Sequence, residues 1–195
     1  MDVRLNRELK AYCADFAPVR QIIRDLGAVF VEVKEQVDCY YHLPLGSSDE
    51  GNRRLKLRVE KGKGELIYYC ERQESNARTS RFQLWETNDL GVGEVLERAL
   101  GTRAVVRKRR ELWEKDNAIF NLDAVEEIGQ IFEVEVRQKD GYDIDSQVRE
   151  YRCLFEPYLG GYILGSNEDL IVASGYKLPQ PGERIANLSG GSDTR

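Results

Sequence analysis

Arg54-Leu55-Lys56-Leu57-Arg58 sets three cations two residues apart, with a leucine in each gap. In a β-strand successive side chains point to opposite faces, so this spacing puts the cations on one face and the leucines on the other. Similar spacing recurs in Asn6-Arg7-Glu8-Leu9-Lys10, in Lys108-Arg109-Arg110 and, with acidic residues, in Glu133-Val134-Glu135. A strand face that is merely wet would mix Thr, Gln, Lys and Glu without sorting them. Here the faces are sorted by sign, which suits a polyanion held by basic groups beside a metal held by carboxylates.

Working outward from these segments, residues 3–11 read as a strand. An amphipathic helix follows over 15–26, with Phe16, Val19, Ile22, Ile23 and Leu26 at helical spacing and Gly27 ending it. Strands are predicted at 28–42, 53–60, 65–72 and 80–87, then a helix over 89–100, then strands at 103–114, 117–125 and 131–139. Helical periodicity returns from Asp143, with Val148, Tyr151, Leu154, Phe155 and Tyr158 on one side. Ser166, with Asp169 three residues on, has the form of a helix cap. Segments 43–52 and 73–79 are expected to be mobile loops. The expected fold is α+β: eight antiparallel strands forming a closed or nearly closed tunnel wide enough for one small ligand, with helices packed outside. Residues 1–178 are expected to form a single domain, and 179–195, rich in Pro, Gly, Ser and charge, a flexible tail.

Composition narrows the function. A chain of 195 residues, 41% hydrophobic and 32% charged, reads as one soluble globular domain. No run approaches the ~20 apolar residues that span a bilayer, and Met1-Asp2-Val3-Arg4 lacks the apolar core of a signal peptide, so a cytoplasmic protein without a membrane partner is expected. Cys13, Cys39, Cys70 and Cys153 lie far apart and form no CxxC pair, which fits reduced thiols. The net charge of −5 argues against a nucleic-acid partner, so the anion should be small. With His42 the single histidine, read as an exposed loop residue, a histidine triad or His-rich metal site is nearly excluded. Gly91-Val92-Gly93-Glu94-Val95-Leu96 ends in leucine where a dinucleotide fingerprint needs glycine, and Lys61-Gly62-Lys63-Gly64 reads as a hairpin turn rather than a P-loop.

The charged strands occur in an order that resembles the CYTH family, the triphosphate tunnel enzymes that include class IV adenylyl cyclases, thiamine triphosphatases and inorganic triphosphatases. Asn6-Arg7-Glu8-Leu9-Lys10 stands for the family's opening ExExK strand. Gln36-Val37-Asp38-Cys39-Tyr40-Tyr41, Arg54-Leu55-Lys56-Leu57-Arg58 and Leu66-Ile67-Tyr68-Tyr69-Cys70-Glu71-Arg72 follow. Lys108-Arg109-Arg110-Glu111-Leu112, Asn121-Leu122-Asp123 and Gly129-Gln130-Ile131-Phe132-Glu133-Val134-Glu135 complete the series, and the likeness spans residues 3–172.

By that resemblance, Lys10, Arg54, Lys56, Arg58, Arg72, Lys108 and Arg110 line a tunnel and grip a triphosphate. Arginine suits this task because its planar fork gives two hydrogen bonds to one phosphate, while lysine supplies a compact charge. The resemblance implies that Glu8, Asp123, Glu133 and Glu135 hold Mg²⁺ or Mn²⁺, with Glu8, Glu133 and Glu135 as the catalytic carboxylates. Three departures from the pattern stand out. Asn6 replaces the first glutamate of ExExK, and Ile119 and Asn121 stand where cyclase-like members often carry Arg and His. Tyr40 matches a tyrosine that some hydrolytic members pair with a lysine, but Tyr69 occupies the lysine position, so the water-activating base is unassigned.

The leading expectation is metal-dependent hydrolysis of tripolyphosphate, thiamine triphosphate or a nucleoside triphosphate. One alternative is a class IV adenylyl cyclase converting ATP to cyclic AMP and pyrophosphate. The other is a noncatalytic triphosphate- or polyphosphate-binding module, motivated by Asn6. Self-association as a homodimer is left open. Two like charges ~5 Å apart repel by roughly 3 kcal/mol at an effective dielectric of ~20, so an empty basic tunnel is expected to be strained, whereas a solvated face would carry cross-strand salt bridges instead.

Overall fold

The alternating segments all pair as strands in the computed structural model, which describes residues 4–44, 53–73 and 78–180. Most of the expected loops at 43–52 and 73–79, and the expected tail from 181 on, lie outside the described residues. The elements run β1 (Arg4–Tyr12), α1 (Phe16–Asp25), β2 (Val29–Tyr41), β3 (Arg54–Glu60), β4 (Lys63–Gln73), β5 (Arg78–Thr87), α2 (Val92–Leu100), β6 (Thr102–Lys115), β7 (Ala118–Val125) and β8 (Gly129–Arg137). They finish with α3 (Ile144–Phe155), a 3₁₀ turn (Glu156–Tyr158) and α4 (Asn167–Ala173).

The strands follow the ring order β1-β5-β4-β3-β2-β6-β7-β8. β1 closes the ring by pairing antiparallel with both β5 and β8. Closure leaves no free sheet edge and gives every strand an inner and an outer face. Lys61 and Gly62, both with positive φ, make the tight turn between β3 and β4.

The apolar residues lie mostly outside. Leu9, Trp113, Phe120, Leu122, Phe132, Val134 and Val136 pack against Val19 and Ile23 of α1 and Val148, Tyr151 and Phe155 of α3. Val37, Cys39, Leu57 and Val59 pack against Leu96 and Leu100 of α2. A third cluster fills one end of the barrel, where Tyr40, Ala104, Val106, Val125 and Ile131 meet Ile163 and Ile171. The segment before α4 is tied to β1 there, with the Ile163 N–H donating to the Lys10 carbonyl at 2.9 Å. With most of its core on the outside, the barrel keeps an interior lined largely by charged residues, with Ile67, Tyr69, Phe82 and Leu84 of β4 and β5 among them.

α1, α3 and α4 begin where capping side chains place them, whereas α2 starts at Val92 behind Gly91 without a side-chain cap, three residues after the predicted start. Asp15 accepts from the Ala17 N–H at the start of α1, and Ser166 and Asp169 form a reciprocal capping box on α4. The expected apolar side of α3 is narrower than its sequence suggests: Leu154 and Tyr158 are exposed. Pro157 lies in the 3₁₀ turn, which breaks the helical phase before Tyr158. Among the described residues Cys13, Cys39 and Cys153 form no disulfide, and His42 is exposed at the end of β2. No helix among the described residues is long and apolar enough to cross a membrane.

Candidate functional site

The interior holds a cavity of about 240 Å³ lined by all the strands except β7, together with Ser166 and Asn167 at the start of α4. Alternation places the charges there: Lys108 and Arg110 line the cavity, whereas Arg109 lies outside against Glu35 and Glu111 pairs with Arg20 of α1. Lys10, Arg54, Lys56 and Arg58 also line it. Arg72 belongs to β4, paired with Ser80 of β5, and its side chain lies outside the described residues.

Two matching clusters organise the cations. On β2 and β3, Asp38 receives hydrogen bonds from Arg58 Nε at 2.7 Å and Nη2 at 2.9 Å, and from Lys56 Nζ at 3.0 Å. On β6 and β7, Asp123 receives hydrogen bonds from Arg110 Nε and Nη2, both at 2.6 Å, and from Lys108 Nζ at 3.2 Å. In each, an arginine and a lysine two residues apart share one carboxylate on the neighbouring strand, and the arginine and aspartate are direct register partners. The unshielded repulsion expected of a basic tunnel is therefore offset by buried counter-charges.

Those counter-charges set the ionisation. Despite burial, Arg58 and Lys56 hold the Asp38 carboxyl well below its usual range. Burial, with the neighbouring Arg58 charge, brings Lys56 down to about 8. Burial and Arg110 bring Lys108 down to about 7.

β1 and β8 carry three more cavity carboxylates, Glu8, Glu133 and Glu135, and β4 carries Glu65, the register partner of Arg58. Glu133 spends both oxygens on cations, with Lys10 Nζ at 2.8 Å from Oε2 and Arg110 Nη2 at 3.2 Å from Oε1. Asn121 Nδ2 also donates to Glu133 at 3.1 Å. Glu8 and Glu135 face each other as register partners and both line the cavity. Burial raises the Glu135 pKa, a hydrogen bond from Asn6 opposes the shift, and the Glu133 and Glu8 carboxylates add to it.

The family model of the CYTH domain matches residues 4–161. The chain belongs to the CYTH family. No curated protein sequence matches it significantly. Among solved structures, it is similar to the PH1012 protein of Pyrococcus horikoshii (24% identity, TM-score 0.69, covering 85% of this chain and 98% of that one). It is also similar to a Vibrio parahaemolyticus protein assigned as an adenylate cyclase (16%, TM-score 0.67, 88% and 99%). A third is the Hippeastrum protein HpAC1, assigned as an adenylyl cyclase and described as having a dominant triphosphatase activity (14%, TM-score 0.62, 90% and 98%).

CYTH enzymes generally use divalent metals, and the donors on the β1–β8 seam fit one in part. Among the described residues no three Asp, Glu, His or Cys side chains are already grouped to hold a metal. Asp123 and Glu133 are committed to Arg and Lys. On the seam itself, Asn6 Oδ1 is a buried acceptor without a hydrogen-bond partner, in the same cavity lining as Glu8 and Glu135. Hard oxygen donors of this kind, completed by phosphate oxygens, are an ordinary set for Mg²⁺ or Mn²⁺.

The structure adds site residues that the charge pattern does not single out. Asp38 sits between Gln36 and Tyr40 on β2, but only its position beside β3 shows that it orients two cations. Asn167, Glu168 and Asp169 of α4 reach the same region. Lys10 Nζ donates to Asn167 Oδ1 at 3.3 Å, and Arg54 Nη2 donates to both Asp169 oxygens at 2.9 and 2.8 Å.

Proposed function

We propose that this CYTH domain is a metal-dependent triphosphatase that holds a triphosphate inside the barrel and hydrolyses its terminal phosphoanhydride. The observation that carries this reading is the sorting of charge around the ring. The Asp38 cluster on β2 and β3 lies opposite β1 and β8, where Glu8 and Glu135 meet, and the Asp123 cluster extends the cationic wall along β6. A polyanion between these walls meets guanidinium forks on one side and hard oxygen donors on the other. Arg58 and Arg110 each spend Nε and Nη2 on their aspartates, leaving Nη1 for phosphate oxygens.

In this reading Glu8 and Glu135, with the Asn6 carbonyl oxygen, hold Mg²⁺ or Mn²⁺, which would neutralise phosphate charge. The chain's own residues position the substrate. Lys56, Arg58, Lys108 and Arg110 fix the phosphate chain and stabilise charge on its oxygens. A water attacks the terminal phosphorus, the bond to the bridging oxygen breaks, and that oxygen leaves with the remaining diphosphate. The occupant is a small molecule rather than a nucleic acid, because the net charge is −5 and the sorted cations point inward.

The test is phosphate and pyrophosphate release from tripolyphosphate, thiamine triphosphate and ATP, each with Mg²⁺ or Mn²⁺, followed by product identification. Phosphate release that stops on chelation is expected. Pyrophosphate with cyclic AMP from ATP would make the protein a cyclase instead. Tight binding without turnover would make it a binding module.

A further inference from the structure

Outside the barrel, β2 carries an apolar knob and a groove side by side. Val29, Phe30 and Val31 are 69%, 46% and 45% exposed, the only three large apolar residues exposed in succession among the described residues. The register with β6 skips Val31, a bulge that leaves this residue out of the ladder. Phe30 is held edge-on to Trp113 of β6, with ring centres 5.3 Å apart, so the knob is already in place.

Further along β2, a groove of about 510 Å³ crosses β3, β2, β6 and β7. Val33, Val37, Val59 and Ala124 supply its apolar lining, and none of its lining residues comes from a helix. Trp113, Glu111 and Arg109 alternate onto the outer face of β6, so their register partners Phe30, Val33 and Glu35 share that face. The rim carries charges of both signs in pairs, with Arg109 3.6 Å from Glu35 and Lys61 2.7 Å from Glu32.

An exposed apolar run beside an uncovered groove marks an interaction surface. The charge pattern indicates the occupant. A rim of one sign would suit a partner of the opposite sign and repel its own copy. This rim, with both signs, can face itself: Glu35 of each copy meets Arg109 of the other. The spacing is also self-complementary. Phe30 and Glu35 are five residues apart, roughly 16 Å along the strand, so a two-fold axis near Val33 sets each knob on the other copy's groove in one operation.

We propose that β2 is the contact strand of a homodimer, in which Val29, Phe30 and Val31 of each copy fill the groove at Val33 and Val37 of the other. The footprint, roughly 23 Å along β2 and roughly 19 Å across four strands, lies at the lower end of specific interfaces, so association in the micromolar range is expected.

The experiment is sedimentation velocity on the full chain from roughly 1 to roughly 200 µM, a range that brackets such an affinity. The wild type is expected to pass from monomer to dimer across it. Val29→Glu and Val31→Glu should each raise the dissociation constant by at least about tenfold. Val95→Glu, at a position 65% exposed on α2, should leave it unchanged. Glu35→Arg should weaken the dimer, and combining it with Arg109→Glu should restore it, because the reversed pair again meets its own mirror image. A monomer at every concentration would overturn the proposal and leave the groove to a different partner. A dimer indifferent to Val29→Glu, Val31→Glu and Glu35→Arg would overturn it too, because the two-fold axis would then lie on another face.

Discussion

Asp38 and Arg58 face each other across β2 and β3 as register partners, joined by hydrogen bonds of 2.7 and 2.9 Å, and Asp123 repeats the arrangement on Arg110. Each aspartate also takes a lysine, so four cations are held at fixed positions by two carboxylates. A buried ion pair adds little net stability relative to an apolar replacement, but it fixes geometry, and removing one partner is costly. The pairs therefore make sense as positioning devices for groups that must not be free to seek solvent.

Asp38→Asn tests this. It leaves Lys56 and Arg58 without their shared counter-charge and is expected to cost about 3–5 kcal/mol of stability. A bound polyanion replaces the missing charge. Tripolyphosphate should therefore raise the melting temperature of the variant by more than that of the wild type, read from thermal melts with and without ligand. Equal shifts would mean that the cations do not face the ligand.

Binding and chemistry should separate by wall. Arg58→Ala removes a charge-assisted phosphate contact of about 1.5–3 kcal/mol, or roughly 10–100-fold in affinity. Glu135→Gln should leave metal-free affinity within a few-fold and lower metal-dependent turnover by at least roughly 10–100-fold. Titration calorimetry without metal and phosphate release with Mg²⁺ check the two arms. If both variants bound and turned over like the wild type, the site would be misplaced.

Most of this architecture was legible in the sequence because its signal is local. The spacing of two in Arg54-Leu55-Lys56-Leu57-Arg58 fixes which residues face inward, and the observed β3 begins and ends within one residue of the predicted strand. The capping pair Ser166 and Asp169 announced α4 in the same way. What escaped depends on contacts remote in sequence. Asp169 reads as a cap, yet it also grips Arg54, 115 residues away, and no local pattern encodes that contact. The resemblance implies that Asp123 is a metal ligand, and only β6 lying beside β7 shows that it also bonds Lys108 and Arg110. Tyr158 fits a helical stripe, but the turn at Pro157 rotates the chain away from it, while Leu154, still within α3, lies at the exposed edge of the stripe that buries Val148, Tyr151 and Phe155.

The buried lysines predict opposite pH trends for affinity and stability. Lys56, with its pKa lowered to about 8, loses its charge as pH rises through that value, and Lys108 does so near 7. Metal-free tripolyphosphate affinity should therefore fall between pH 7 and 9, and Lys56→Arg should flatten the upper part of that fall. The linkage to folding has the other sign. Between about 8 and the unperturbed value near 10.4 the unfolded chain keeps a proton on Lys56 that the folded chain has released, so this group's contribution to stability rises with pH. Affinity independent of pH would show that neither lysine meets the ligand.

Arg54 provides the sharpest contrast among the cavity cations, because its partners come from α4 and not from the barrel. Its Nε lies 3.2 Å from Glu168 and its Nη2 bonds both Asp169 oxygens. Arg103 reaches the same Glu168 at 2.9 Å, and the carboxylate is buried. Removing Arg54 therefore loosens the attachment of α4 at the apolar end of the barrel, whereas removing Arg58 acts on the phosphate site. Arg54→Ala is expected to lower the melting temperature while reducing tripolyphosphate affinity by less than Arg58→Ala does, with both measured on the same preparations. If Arg54→Ala cost the more affinity of the two, the ion pairs with α4 would have to open when ligand binds. The melting temperature of Asp169→Asn with and without tripolyphosphate would then show whether releasing Arg54 strengthens binding.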